Sequence, residues 1–172
     1  MRQINLPMPI WDLPIRLFHW LLVLLVGFMW LSGDRGWLEW HMWSGYALLS
    51  LLVFRVVWGF IGSDTARFLF FLKSPLEALR HLAQIAKREP DTEIGHNAAG
   101  GWMVLGLLGL LFAQVLTGLS ANDDISTEGP LYRLVGKSWS DWMTRQHHFL
   151  FNVIQIAVVL HVLAIIVYAV LK

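Results

Sequence analysis

Cysteine is absent from the 172 residues. Disulfides, iron–sulfur clusters, thiol nucleophiles and the C-x-x-C-H attachment of c-type haem are therefore excluded, and any prosthetic group is held without a covalent bond. Charge is also scarce, at 15% of residues against about 25% in an ordinary soluble domain. The formal net charge is only +1 and no basic stripe stands out, which argues against a nucleic-acid partner. The long apolar runs contain no Asp or Glu. A transporter that moves protons or divalent metals on histidines would want carboxylates beside them, so that class is a remote alternative.

What is present is apolar and aromatic. Hydrophobic residues make up 56% of the chain, with ten tryptophans and a mean hydropathy of +0.56. Tryptophan at this density suits the two interfacial belts of a bilayer. Four apolar runs, 17–33, 41–62, 98–119 and 147–171, each have about the 20 residues that a helix needs to cross a membrane. The first run starts after Arg16 and is followed by no small-residue cleavage site, so it reads as a retained span rather than a signal peptide. Pro7, Pro9 and Pro14 keep the residues before it from forming one helix. Gly33-Asp34-Arg35-Gly36 reads as a tight turn, which makes the first two spans antiparallel neighbours. The expectation is an all-α membrane protein, a single four-helix transmembrane bundle over 1–172 with no internal repeat of fixed period.

Lysine and arginine set its orientation. Arg2, Arg16, Arg55, Arg67, Lys73, Arg80, Lys87, Arg88 and Lys172 fall on one side, and Arg35, Arg133, Lys137 and Arg145 on the other. The positive-inside rule then puts both termini in the cytoplasm. On the same side, Ser74-Pro75-Leu76-Glu77 combines an N-cap, a first-turn proline and a capping-box glutamate. It opens an amphipathic helix over 75–88, with Leu76, Leu79, Leu82, Ala83 and Ala86 on one face and Arg80, Gln84, Lys87 and Arg88 on the other. That pattern suits a helix lying on the membrane surface or docking a partner.

Within the last span, His147 and His161 are fourteen residues apart. At about 100° per residue they return to within roughly 40° of one direction and stand about 21 Å apart along the axis. His148 points roughly 140° away from that face. Ionisable groups inside a membrane are functional by default, and neutral imidazole is an axial ligand of haem iron. His19 lies near the start of the first span and His41 at the start of the second, at depths that match His161 and His147. The reading is two haems b, an inner one on His19 and His161 and an outer one on His41 and His147. Gly45, one turn after His41, leaves room on that face for a flat macrocycle. Arg55 shares the face of His41 at the inner depth. There it either pairs with a haem propionate or snorkels as a positive-inside marker. His96 and Asn97 open the third span, as hydrogen-bonding partners of a quinone or as a helix cap.

Several stretches resemble a known family in order. Trp11-Asp12-Leu13-Pro14-Ile15-Arg16-Leu17-Phe18-His19-Trp20 resembles the W-D-x-P-x-R-x-x-H-W opening of bacterial di-haem b cytochromes. That group comprises the b-type subunits of membrane-bound nickel–iron hydrogenases and the prokaryotic cytochrome b561 family. His41 to Gly45 is similar to its H-x-x-x-G, Arg55 to Gly62 to its R-x-x-W-x-F-x-G, and Gly95-His96-Asn97 to its G-H-N-P, with Ala98 where the pattern has proline. The fourteen-residue spacing of His147 and His161 is similar too. The resemblance implies four helices, two haems b on His19, His41, His147 and His161, and a place in the bacterial inner membrane. It also implies electron transfer between the quinone pool and a periplasmic partner such as a cytochrome c or a hydrogenase-like subunit. The alternative is a stand-alone superoxide:quinone oxidoreductase. A homodimer is compatible with either.

Overall fold

The computed structural model describes residues 12–83 and 98–171. Four long helices dominate it: α1 (Leu13–Asp34), α2 (Leu38–Ile61), α5 (Ala98–Leu119) and α7 (Lys137–Leu171). Each is long and apolar enough to cross a membrane. Short helices α3 (Phe68–Phe71), α4 (Pro75–Ala83) and α6 (Tyr132–Val135) lie in the connections. Helix α1 packs on α2, α2 on α5 and α5 on α7. A ring contact between Trp30 and Phe151 closes the circle from α1 to α7. The core is a narrow column of Phe18, Met29, Leu48, Leu52, Leu108, Leu111, Val115 and Ile154.

The outside of the bundle is apolar, as a bilayer requires of helices that satisfy their own backbone groups. Every described tryptophan except Trp58 is exposed. Trp20 and Trp102 mark one end, here the lower. Trp30, Trp37, Trp40, Trp43, Trp139 and Trp142 mark the other, the upper end of the α1–α2 turn. They form the two aromatic bands of a membrane protein.

Three helices begin earlier than hydropathy predicts, α2 by three residues at Leu38 and the other two by more. Helix α1 starts at Leu13 rather than near 17, because Asp12 caps it: Asp12 Oδ1 accepts from Ile15 N at 2.8 Å. Pro14 falls in the first turn, where no backbone N–H is needed. Asp12 Oδ2 accepts from Trp58 Nε1 at 3.0 Å and from Ser63 Oγ at 2.6 Å, so one carboxylate ties the start of α1 to the end of α2. Burial pushes this carboxyl up, but the bonds from Ser63, Ile15 and Trp58 and the charge of Arg55 hold it below its ordinary value. Gly62 makes the tie possible, since a Cβ there would stand 2.7 Å from Trp58 Nε1.

Helix α7 starts at Lys137, ten residues before the predicted span. Charge ends a hydropathy window but does not end a helix. Its 35 residues extend about 52 Å, well beyond the roughly 30 Å of hydrocarbon. The extra turns are fastened to the 120–136 connection. Asn122 Nδ2 donates to Ser140 Oγ at 2.6 Å and to Asp141 Oδ1 at 3.1 Å, and Asn122 N donates to Thr144 Oγ1 at 3.0 Å. Lys137 bridges Asp124 and Asp141. Within the connection, Asp123 Oδ1 accepts from the amides of Ile125, Ser126 and Thr127. Those bonds, that of Thr127 foremost, hold the Asp123 carboxyl down at about 2. The result is a polar cap over the upper end.

At the lower end, Ser74 caps α4 as predicted, its Oγ accepting from Glu77 N at 3.2 Å. The helix docks on α5 through Ala78, which is buried, while Leu76 and Leu79 are exposed. Leu76 and Leu79 are therefore not part of the face that packs on α5. The predicted continuation to residue 88 lies outside the described residues.

Asp12→Ala removes a cap and leaves two donors without their acceptor, at a cost of about 1–3 kcal/mol. The expected outcome is a lower melting temperature in detergent, with Asp12→Asn, which keeps an acceptor oxygen, in between. Asp123 tests a different property. Its folded value lies below the ordinary 3.8, so the charged form contributes stability that is full above about pH 4 and is lost as pH falls towards 2. The melting-temperature difference between wild type and Asp123→Asn should narrow as pH is lowered from 5 to 2. A constant difference would show that the charge has no part in holding the loop.

Candidate haem-ligand site

His41 lies in the first turn of α2, and His147 in α7 above the membrane-depth half of that helix. The structure brings the two rings together in an edge-on arrangement. Their ring centres are 6.0 Å apart and their planes cross at 79°. Both rings are half-buried and both line one cavity of about 670 Å³. Its walls are largely apolar, with Val26, Met29, Leu48, Leu111 and Ile154 among them, and Asn122, Asp123 and Thr127 of the polar cap also line it.

Neighbouring helices fix the tautomer of each ring. His41 Nδ1 lies 2.9 Å from the carbonyl oxygen of Met29. His147 Nδ1 lies 2.9 Å from that of Gln114. A carbonyl only accepts, so in both rings Nδ1 carries the proton and Nε2 keeps the lone pair. A hydroxyl stands beside each contact, Ser32 Oγ at 3.5 Å from His41 Nδ1 and Thr117 Oγ1 at 3.3 Å from His147 Nδ1. A glycine stands at each approach, tight at Gly33 and closer still at Gly118. A Cβ on Gly33 would lie 3.3 Å from His41 Nδ1, and one on Gly118 would lie 2.9 Å from His147 Cε1. Gly45, the glycine singled out from the sequence, instead faces Met29 Cε at an ordinary 3.7 Å.

His148 sits in the next helical position. It is exposed, but it touches the same cavity at its rim, and its ring centre is 6.4 Å from that of His147. The turn away from the His147 face is therefore incomplete at the mouth of the cavity.

At the lower end, His19 of α1 and His161 of α7 lie within electrostatic reach of each other. His19 is exposed and His161 half-buried. Arg55 is buried at 4% exposure, with its guanidinium carbon 4.7 Å above the Phe68 ring. Its Nη1 has no hydrogen-bond partner among the described residues. A buried cation with an unused donor suits an anionic group and not a snorkelling side chain, which would reach water. His96 and Asn97 lie outside the described residues.

These residues fit a haem. An iron bound by two imidazole nitrogens at about 2 Å each, with each ring centre roughly 1 Å further back, separates the centres by about 6 Å, and the upper pair stands at 6.0 Å. The cavity volume lies within the roughly 300–1,000 Å³ of cofactor sites. The donor set consists of histidine pairs: no cluster of three or more metal-binding side chains occurs among the described residues. One side chain has to yield. The Gln114 amide nitrogen is 3.1 Å from His147 Nε2, where iron would bind. That amide donates to the His147 lone pair, so iron binding would need this one hydrogen bond to break and the side chain to turn; its Oε1 has no hydrogen-bond partner to lose among the described residues.

Met29, Ser32, Gln114, Thr117 and Gly118 all stood outside the sequence reading, and Gly33 figured in it only as a turn residue. One signal for them exists: Gln114 and Thr117 are the only side chains with hydrogen-bonding amide or hydroxyl groups in the 98–119 run, and they are spaced to share a helix face.

The family profile of prokaryotic cytochrome b561 matches residues 10–172. No curated protein and no solved structure matches the chain. The profile spans nearly the whole chain, including all four long helices and every histidine discussed above. Its b-type cytochrome character agrees with the bundle, the apolar exterior and the paired imidazoles: the chain belongs to the prokaryotic cytochrome b561 family, multi-pass membrane b-type cytochromes of electron transfer.

Proposed function

We propose that the protein carries electrons across the bacterial inner membrane between a periplasmic redox partner and the quinone pool. His41 and His147 are the axial ligands of an outer haem b, and His19 and His161 those of an inner one. The observation that carries this reading is the upper pair, two imidazoles meeting edge-on at 6.0 Å with both Nδ1 protons committed to helix carbonyls. Bound haem supplies the one-electron chemistry.

The chain's own residues supply ligands, placement and local dielectric. The two ligands on α7 are about 21 Å apart along the helix axis, which puts the sites at opposite depths of the bilayer. By the order of segments in the sequence, nine basic residues fall on the side of the two termini and the 63–97 connection against four on the other, which makes the lower end the cytoplasmic one in this reading. The unused Nη1 of Arg55 receives a propionate of the inner haem. His96 and Asn97, at the cytoplasmic start of the third span, hydrogen-bond a quinone. The exposed Leu76 and Leu79 of α4 rest that helix on the lipid surface.

A reduced-minus-oxidised spectrum of purified protein with pyridine haemochrome quantitation should give two low-spin b haems per chain. His147→Ala should lose the outer haem and largely spare the inner one, and His148→Ala should keep both. The opposite pattern would assign the outer ligand to His148, and a haem-supplied, folded protein without haem would overturn the whole reading.

A further inference from the structure

Two stretches in different helices are built alike. In α1, Met29-Trp30-Leu31-Ser32-Gly33 meets the ring of His41. In α5, Gln114-Val115-Leu116-Thr117-Gly118 meets the ring of His147. Position i offers its carbonyl to Nδ1 at 2.9 Å in both. The hydroxyl at i+3 bonds back to that carbonyl, Ser32 Oγ to Met29 O at 3.1 Å and Thr117 Oγ1 to Gln114 O at 2.9 Å, and stands beside Nδ1 as well. Glycine at i+4 vacates the space the imidazole occupies. Positions i, i+3 and i+4 share one helix face, so each stretch is a single surface shaped to a ring edge. Ser32 and Thr117 are both buried, in the last turns of their helices.

Nδ1 lies off the bond from Cβ to the ring, so its hydrogen bond to a fixed carbonyl limits the ring's rotation as well as its tautomer. The hydroxyl beside the same nitrogen adds a second contact on that ring edge, and the glycine leaves the room the ring needs. The two planes cross at 79°.

We propose that these two pentapeptides are one positioning device used twice, in which Ser32 and Thr117, with Gly33 and Gly118, hold the His41 and His147 planes near perpendicular and so set the axial ligand field of the outer haem. This rests on the ligand assignment above and goes beyond it. The orientation of axial imidazoles governs the splitting of the iron d orbitals: crossed planes leave two of them nearly degenerate, and parallel planes separate them. Residues that act on a ligand rather than on the metal commonly tune such sites.

The test is low-temperature electron paramagnetic resonance of the oxidised, haem-loaded protein, with haem stoichiometry measured alongside. Wild type with two bis-histidine haems first establishes the ligand reading; a wild type without them overturns that reading and this inference together. Thr117→Val, close in volume but without the hydroxyl, should shift the outer haem's large-g signal towards a rhombic pattern, or release that haem. The inner signal should stay in place, and Thr117→Ser should restore the wild-type spectrum. Ser32→Ala should act on the same signal from the other side. Gly118→Ala should move it further, since its Cβ displaces the ring. Wild-type signals in both Thr117→Val and Ser32→Ala, with both haems bound, would reduce the hydroxyls to helix back-bonding and overturn the proposal alone. So would a failure of Thr117→Ser to restore what Thr117→Val changed.

Discussion

The hydrogen bond from an imidazole Nδ1 to a helix carbonyl, made by His41 to Met29 and by His147 to Gln114, is the contact around which the upper half of the bundle is arranged. A helix carbonyl is normally engaged by the amide four residues on, so a side chain reaches it only where the intervening surface is cut away. Gly33 and Gly118 make that cut. The bonds also commit both Nε2 lone pairs to the cavity, because neutral imidazole has one donor and one acceptor. Helix packing, tautomer and ligand capacity are thus one choice. The polar cap of Asn122, Asp123 and Thr144 then lines the upper side of the site, fastened to the extended start of α7.

The lower end is held by a different economy of charge. Asp12 caps α1 and gathers Trp58 and Ser63, while Arg55 lies buried nearby with Phe68 beneath its guanidinium. Gly59 lets that ring in, since a Cβ there would stand 2.6 Å from Phe68 Cζ. A buried arginine with an unused donor is costly in isolation. The Asp12 charge offsets part of that cost and leaves Nη1 available. The W-D and R-x-x-W-x-F-x-G stretches, far apart in the chain, are the two halves of this cluster.

Much of the architecture was legible because a bilayer leaves the chain few options. Four long apolar runs are four helices when no water is available to the backbone. Fourteen-residue spacing on a helix places His147 and His161 on one side whatever surrounds them. The ends were read less well. Helix α7 begins at Lys137 because Lys137 and Asp141 pair along it and Asn122 fastens it, and hydropathy carries no trace of those contacts. The leucine face of α4 reads from the sequence as a membrane-surface face, and Leu76 and Leu79 are exposed; that buried Ala78 lies on the side docked on α5 has no signal in the pattern.

The sequence by itself determined the helices, the four apolar spans and the shared face of His147 and His161, since these follow from periodicity, length and composition along one chain. Only the tertiary structure decided which groups hold the histidines. Met29, Ser32 and Gly33 act on a ring from the next helix, and Gln114, Thr117 and Gly118 act on one 30 or so residues away. A carbonyl is the same atom in every residue, and a glycine or serine in an apolar helix has many uses. Their role exists only once two helices have crossed at the distance that lets a ring edge meet a backbone oxygen.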